Sequence, residues 1–140
     1  MEVHVLDESS MIRNLEKAID GEYQAIYCYE YLANQAPDED IRQRIMEIRS
    51  DEMRHYERFW NVYYSLTNKE YEPKLNEKCP STYSAGVLAA FLDEQKATEF
   101  YLRSMREASA AEVRNAFDSA ARDEQNHAVW YLYYLMESGQ

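Results

Sequence analysis

The feature that most constrains this chain is an internal repeat. Two segments, about residues 10–67 and 82–138, align when the second is shifted back by 72 positions. Both contain the pattern Asp-Glu-x-x-His, at 51–55 and again at 123–127. The matched positions carry identical or similar residues: Glu22/Glu94, Ala25/Ala97, Tyr29/Tyr101, Ile41/Val113, Ile45/Phe117, Asp51/Asp123, Glu52/Glu124, His55/His127 and Phe59/Tyr131. The simplest explanation is a duplicated supersecondary unit.

Each repeat has the pattern of a helical hairpin. Apolar residues recur with the helical period in four runs. The first two runs meet at Pro37, and a possible capping box from Ser109 to Glu112 predicts the start of the fourth helix. The predicted helices cover about 10–35, 38–67 and 82–107, and a fourth runs from the capping box at Ser109 to near Gly139. With only three glycines and three prolines, the chain is predicted to be all-α: an antiparallel four-helix bundle built from two hairpins.

The connection between the hairpins decides how they pack. Residues 68–81 contain two prolines and little periodicity. About thirteen extended residues reach roughly 43 Å, the length of a helix of about 29 residues. A long crossover between helices 2 and 3 can therefore run the length of the bundle and relate the hairpins by a two-fold axis. We expect one domain over residues 1–140.

Helix geometry places the charged residues of the repeats at one level. Glu22 and Glu52 each lie 15 residues from Pro37, and Glu94 and Glu124 each lie 15 residues from the second turn. That separation is roughly 22 Å along each helix, so the carboxylates meet near mid-helix. Each histidine follows its glutamate at i+3, on the apolar face of its helix. We therefore expect six buried side chains to converge: Glu22, Glu52, His55, Glu94, Glu124 and His127.

Such a cluster predicts a pair of metal ions. Four ionised carboxylates in an apolar bundle would be strongly destabilising unless protonated or neutralised, and two divalent cations match their charge. Carboxylate oxygens with one imidazole per ion favour two iron ions, with manganese possible, over structural zinc. Tyr29 and Tyr101 lie two turns beyond the lone glutamates, where they could hydrogen-bond a ligand carboxylate or be oxidised. Ala25 and Ala97 would leave room for an oxidant.

These motifs resemble the ferritin-like superfamily, and most closely its rubrerythrin-type di-iron domain, over about residues 10–138. The resemblance implies that the four glutamates carry or bridge the metals and that the histidines are terminal ligands. DEMRH also resembles the DExRH motif of bacterial di-iron monooxygenases, which implies that Asp51 and Asp123 orient ligating histidines. Two features depart from rubrerythrins: Phe91 replaces an extra glutamate, and the rubredoxin-like CxxC pairs are absent. Electrons are therefore expected from a separate donor or from the substrate.

Charge and composition restrict the partners. A net charge of −11 argues against nucleic acid and anionic membranes. No apolar run is long enough for a transmembrane span, and the first ten residues lack a signal-peptide pattern, so a cytoplasmic protein is expected. His4 is expected to be solvated. Cys28 and Cys79 are expected to be an unpaired core thiol and an unpaired loop thiol.

The sequence also carries more aromatic residues than one core stripe requires. They crowd the ends of helices 2 and 4 and predict a subunit interface, in a homodimer or a larger homo-oligomer. The residues are Trp60, Tyr63, Tyr64, Trp130, Tyr131, Tyr133 and Tyr134.

The leading functional hypothesis is a di-iron oxidoreductase that reacts Fe(II) with O2 or hydrogen peroxide, using an unidentified electron donor. A ferroxidase, for which iron itself is the substrate, is the first alternative. A hydroxylase of an unknown organic substrate and a non-enzymatic metal-binding protein are the others.

Overall fold

The computed structural model describes residues 8–139 and contains no strand in that range. Its four helices match the four predicted runs, so the all-α prediction is confirmed. The helices are α1 (Glu8–Asn34), α2 (Glu39–Thr67), α3 (Tyr83–Glu107) and α4 (Ala111–Glu137). None of them is both long enough and apolar enough to cross a membrane.

Local hydrogen bonds stabilise three of the helix ends. The Asp38 side chain accepts a hydrogen bond from the Ile41 N–H at the start of α2, and Thr82 accepts one from the Ala85 N–H at the start of α3. Helix α2 ends at Thr67, and its C-cap residue, Asn68, adopts φ 57° and donates its backbone N–H to the carbonyl of Tyr64. Asparagine tolerates this left-handed conformation better than most residues.

The predicted capping box at the start of α4 is wrong. The N-cap residue is Ala110, and no side chain caps the helix. The Ser109 hydroxyl instead lies 3.7 Å from the sulfur of Met11. Arg114 donates to the carbonyls of Ala108 and Ser109, at 3.3 and 2.9 Å. The turn is thus held by contacts that the local sequence pattern does not encode.

The two hairpins pack through α1 against α3 and through α2 against α4. Ser65 at the end of α2 lies 3.4 Å from Glu112 at the start of α4. At the opposite end of the bundle, Gln35 after α1 donates to the carbonyl of Ser81 before α3 at 2.6 Å. Neighbouring helices are therefore antiparallel, and residues 68–82 run the length of the bundle along α1. The predicted long crossover is confirmed.

Two apolar clusters fill the bundle on either side of a polar layer. The first contains Leu15, Phe59 and Phe117, and the second contains Ile45 and Tyr131, all of them fully buried. On every helix the charged residues of the repeat lie between residues of the two clusters. Mainly apolar side chains therefore cover the polar layer at both ends and keep water from reaching it along the bundle axis.

The prediction of two unpaired cysteines is wrong. Cys28 on α1 and Cys79 on the connection form a disulfide with their Cα atoms 5.2 Å apart. They are 51 residues apart in sequence, but the connection returns along α1 and brings them together. His4 lies outside the described residues.

The aromatic residues at the ends of α2 and α4 are divided between core and surface. Tyr63, Tyr131 and Tyr134 are buried, whereas Tyr64 and Tyr133 are exposed; Trp60 and Trp130 are half-buried. Packing inside the bundle therefore accounts for part of the surplus, and the interface remains a prediction.

Candidate metal centre

The structure brings the six predicted side chains together at the middle of the bundle. Each helix contributes one glutamate, and α2 and α4 add a histidine one turn later. All six side chains are buried, with at most 5% of any residue exposed: Glu22, Glu52, His55, Glu94, Glu124 and His127. Their role as metal ligands remains a prediction, but the convergence on which it depends is present.

Within this cluster two groups of ligand atoms have the spacing to hold a metal ion. One group is Glu22, Glu52, His55 and Glu124, and the other is Glu52, Glu94, Glu124 and His127. In each group one potential ligand atom per residue lies within 4.8 Å of all the others. Glu52 and Glu124 belong to both groups, so a pair of ions held here would share these two carboxylates. Glu22 and Glu94 each belong to one group only.

The histidines direct Nδ1 into the cluster. His55 Nδ1 lies 3.1 Å from Glu52 and 3.3 Å from both Glu22 and Glu124. His127 Nδ1 lies 3.2 Å from its nearest carboxylate. A neutral imidazole with Nδ1 facing these oxygens could complete a mixed oxygen and nitrogen ligand set.

Each histidine is oriented by the aspartate of the other repeat. His55 Nε2 lies 2.7 Å from the carboxylate of Asp123, and His127 Nε2 lies 2.7 Å from the carboxylate of Asp51. In the neutral imidazole, a hydrogen bond from Nε2–H to the aspartate selects the tautomer whose Nδ1 lone pair is available as a ligand. Each aspartate thus contacts a histidine, and the pairing crosses between the hairpins; the orienting role of the aspartates remains a prediction.

Two buried tyrosines cross the bundle in the same way. Tyr29 donates its hydroxyl proton to Glu94 Oε2 at 3.0 Å, and Tyr101 donates to Glu22 Oε2 at 2.7 Å. Burial, followed by the charge of nearby carboxylates, raises the pKa of both tyrosines well above the usual range. Both hydroxyls therefore stay protonated and fix one oxygen of each lone glutamate.

The remaining polar atoms at the centre fit a cation. In the described part of the chain, one oxygen of each of the four glutamates and Nδ1 of each histidine are buried and have no hydrogen-bond partner. Buried polar atoms are normally satisfied, and six unsatisfied atoms facing one another are rare in a stable core. They are lone-pair donors of the kind that iron and manganese bind, so the residues present fit a two-ion centre.

The electrostatics of the cluster also favour bound positive charge. Burial, reinforced by neighbouring carboxylates, raises the pKa of Glu52 and Glu124 well above the usual range. Burial lowers the pKa of His55, but the carboxylates of Glu124 and Glu22 outweigh it and raise the pKa to about 11. At His127 the carboxylates of Glu124 and Glu94 likewise outweigh burial and raise the pKa to about 10. Divalent cations binding here would displace protons.

A cavity of about 760 Å³ leads to the cluster. It lies between α1, α3 and the connection, and all four glutamates form part of its wall. Ala25 and Ala97 also line it, in agreement with the expectation that small residues leave space near the centre. The volume is within the range of ligand pockets in proteins.

Comparison with known proteins identifies the family. The family model for rubrerythrin matches residues 13–135. The chain belongs to the rubrerythrin family. Rubrerythrins are ferritin-like di-iron carboxylate proteins, so the resemblance seen in the sequence is confirmed, and the buried carboxylate and histidine groups of this rubrerythrin-family chain are able to hold metal.

Relatives and solved structures agree with this assignment. An uncharacterised protein of Bacillus subtilis (strain 168), YhjR, is 50% identical over 131 residues, which cover 94% of this chain and 90% of that protein. Fully reduced nigerythrin has a TM-score of 0.83 at 18% identity, over 99% of this chain and 75% of its own. A dodecameric thioferritin, the bacterioferritin-related protein from Bacteroides fragilis, has a TM-score of 0.81 at 18% identity, over 96% and 89%. At these identities the two structures show the ferritin-like fold.

One charged residue near the centre was not predicted. The Arg54 guanidinium forms an ion pair with Asp51 and lies 3.9 Å from Asp123. It therefore lies near both histidine-orienting carboxylates. Burial raises the pKa of Asp51, but hydrogen bonds from His127 and Arg54 outweigh burial and lower it. The second repeat has Asn126 at this position, so comparing the repeats gave no signal for the arginine.

Proposed function

We propose that this rubrerythrin-family protein binds two iron ions between its four helices and reduces O2 or hydrogen peroxide there. The observation that carries the proposal is the set of six buried, unpartnered ligand atoms in two groups that share Glu52 and Glu124. When bound, iron supplies one-electron redox chemistry, and a pair of ions can pass two electrons to one oxidant.

The protein's own residues hold and shape this centre. Asp51 and Asp123 hold a proton on Nε2 of each histidine, so that the Nδ1 lone pair is the one available once a cation has displaced the Nδ1 proton. Tyr29 and Tyr101 each fix one oxygen of a lone glutamate, which leaves the second oxygen free to change position. Of the four carboxylates, the two lone glutamates are thus the ones that we expect to shift between terminal and bridging modes. The apolar clusters above and below exclude water and favour reaction with an oxidant that enters through the cavity.

Anaerobic addition of Fe(II) followed by O2 or hydrogen peroxide tests this proposal. We expect two equivalents of iron per chain to be oxidised, with an absorption band in the blue to ultraviolet, and the oxidant to be consumed in proportion. Continued oxidation of iron added beyond two equivalents would favour the ferroxidase. Binding of iron without any redox change on exposure to both oxidants would contradict the proposal and favour a structural metal.

We also propose a homo-oligomer assembled through α4. The outer face of this helix carries an exposed apolar stripe of Val129, Leu132, Tyr133 and Met136, with Met136 69% exposed. Stripes of this kind commonly mark subunit contacts, and the thioferritin of similar fold is dodecameric. Light scattering should show that Val129→Lys with Met136→Lys lowers the mass of the assembly, whereas Leu75→Lys on the connection leaves it unchanged. An unchanged mass in the double variant would contradict this interface.

A further inference from the structure

The disulfide lies beside the cavity that leads to the candidate centre. Cys28 lines this cavity together with Glu22 and Glu94, and so do Lys78 and Pro80 on either side of Cys79. Cys28 follows Glu22 by six residues on the same helix, about 9 Å along its axis. These two cysteines are the only ones in the chain.

We infer that Cys28 and Cys79 are a redox-active pair that supplies the two electrons consumed at the centre. This inference rests on the proposed function and identifies its missing electron donor. The dithiol would take the place of the rubredoxin-like iron site of rubrerythrins, whose CxxC pairs do not occur in this sequence.

The connection is built to keep the two sulfurs together when the bond between them is broken. On one side of Cys79, Tyr71 and the Lys74 N–H both donate to Asp20, at 2.9–3.0 Å. On the other side, Gln35 donates to the carbonyl of Ser81 at 2.6 Å. Since these contacts do not involve sulfur, a reduced pair remains in position to form the bond again.

The surroundings of Cys28 favour thiol chemistry and connect it to the centre. Gln24 donates a side-chain N–H to Cys28 Sγ at 3.3 Å, which places a polar group against this sulfur. Both cysteines are half-buried, so a reductant from solvent can reach them. Cys28 is covalently adjacent to Tyr29, whose hydroxyl donates to Glu94 at 3.0 Å. The backbone and the Tyr29 side chain therefore form a covalent and hydrogen-bonded route from the sulfur to a candidate ligand.

The reaction balances with hydrogen peroxide as the oxidant. The two thiols lose two electrons and two protons, and the S–S bond forms. The electrons pass through the centre to peroxide, whose O–O bond breaks. With the two thiol protons and its own two hydrogens, the peroxide yields two molecules of water. A small external dithiol, such as dithiothreitol, then reduces the disulfide for the next turnover.

A single-turnover experiment tests this assignment. The protein is reduced, freed of reductant and loaded anaerobically with two equivalents of Fe(II), then mixed with hydrogen peroxide. Samples are quenched with N-ethylmaleimide, and mass spectrometry counts the remaining thiols. We expect the disulfide to form at least about tenfold faster than in iron-free protein, because without iron a thiolate must attack the peroxide directly. The absorption of oxidised iron should fade as the thiols disappear.

Two variants test whether the sulfur atoms themselves supply the electrons. In Cys28→Ser the absorption of oxidised iron should persist, because the electron supply is gone. Leu75→Ala changes an exposed residue of the same connection, leaves both sulfurs and the contacts that hold them in place, and should behave as the wild type does. Disulfide formation at the same rate with and without iron, or oxidised iron that persists beside intact thiols, would overturn the inference while leaving the proposed function standing. Failure of the iron-loaded protein to consume peroxide would overturn both.

Discussion

The crossed pairing of aspartates and histidines leads to a quantitative prediction. Asp123 lies 2.7 Å from His55 Nε2, and Asp51 lies 2.7 Å from His127 Nε2. Groups that orient a metal-ligating histidine contribute about 10- to 100-fold to metal affinity, equivalent to about 1.4–2.8 kcal/mol. Asp123→Ala should therefore weaken the site at His55 by this factor and affect the site at His127 much less.

A double-mutant cycle identifies which aspartate serves which histidine. Anaerobic calorimetric titration of His55→Ala with Fe(II) should report mainly the remaining site, at His127. Adding Asp123→Ala to this variant should leave that affinity unchanged, whereas adding Asp51→Ala should lower it about 10- to 100-fold. The same two additions in His127→Ala provide the matched control, with the roles exchanged. If Asp123→Ala weakened the site that remains without His55, the crossed arrangement would be refuted.

Three further changes should have distinct effects. Tyr101→Phe removes the donor from a buried carboxylate oxygen and should lower the free energy of unfolding of the metal-free protein by about 1–3 kcal/mol, as measured by urea denaturation; an unchanged value would contradict the hydrogen bond. Cys28→Ser or Cys79→Ser opens a loop of 51 residues and should lower the free energy of unfolding by up to about 4 kcal/mol on the loop-entropy model. The reduced wild type should match these variants. An equal melting temperature for oxidised and reduced wild type would argue against a stabilising bond. Glu52→Ala with Glu124→Ala removes both shared carboxylates and should abolish metal binding and the stabilisation by Fe(II) in thermal unfolding; two equivalents still bound would misplace the centre.

The height of the candidate centre along the bundle was predictable from the sequence because only the helix rise and the distances from the two turns determine it. Helix rise and the distances from Pro37 and from the second turn place the four carboxylates at one height, and the position of each histidine at i+3 places it on the same face. The internal repeat removes most other arrangements, since both hairpins must satisfy the same pattern. Belonging to the rubrerythrin family is consistent with this reasoning but was not needed for it.

The contacts between the hairpins could not be predicted from the sequence pattern. Which histidine Asp51 reaches depends on how α2 lies against α4, and no spacing within one helix reports that. The disulfide was missed for a related reason: its formation depends on the path of residues 68–82 along α1, whereas sequence separation alone suggested two isolated thiols. The Ser109 hydroxyl contacts Met11 instead of capping α4. A contact between residues so far apart in sequence cannot be predicted from the local capping pattern.

The disulfide also bears on where the protein works. Disulfides that persist are typical of oxidising compartments, whereas those in a reducing cytosol are usually transient and catalytic. The cytoplasmic location expected from the sequence remains a prediction. If the protein is cytoplasmic, we expect the Cys28–Cys79 disulfide to be formed and reduced repeatedly during turnover, rather than to persist.

Anomalous diffraction from crystals of the iron-loaded protein is the most direct measurement of the central claim. Two iron peaks should appear between the four helices, one beside His55 and Glu22 and the other beside His127 and Glu94, with Glu52 and Glu124 contacting both. A single peak, or peaks outside these two groups of side chains, would contradict the two-ion centre.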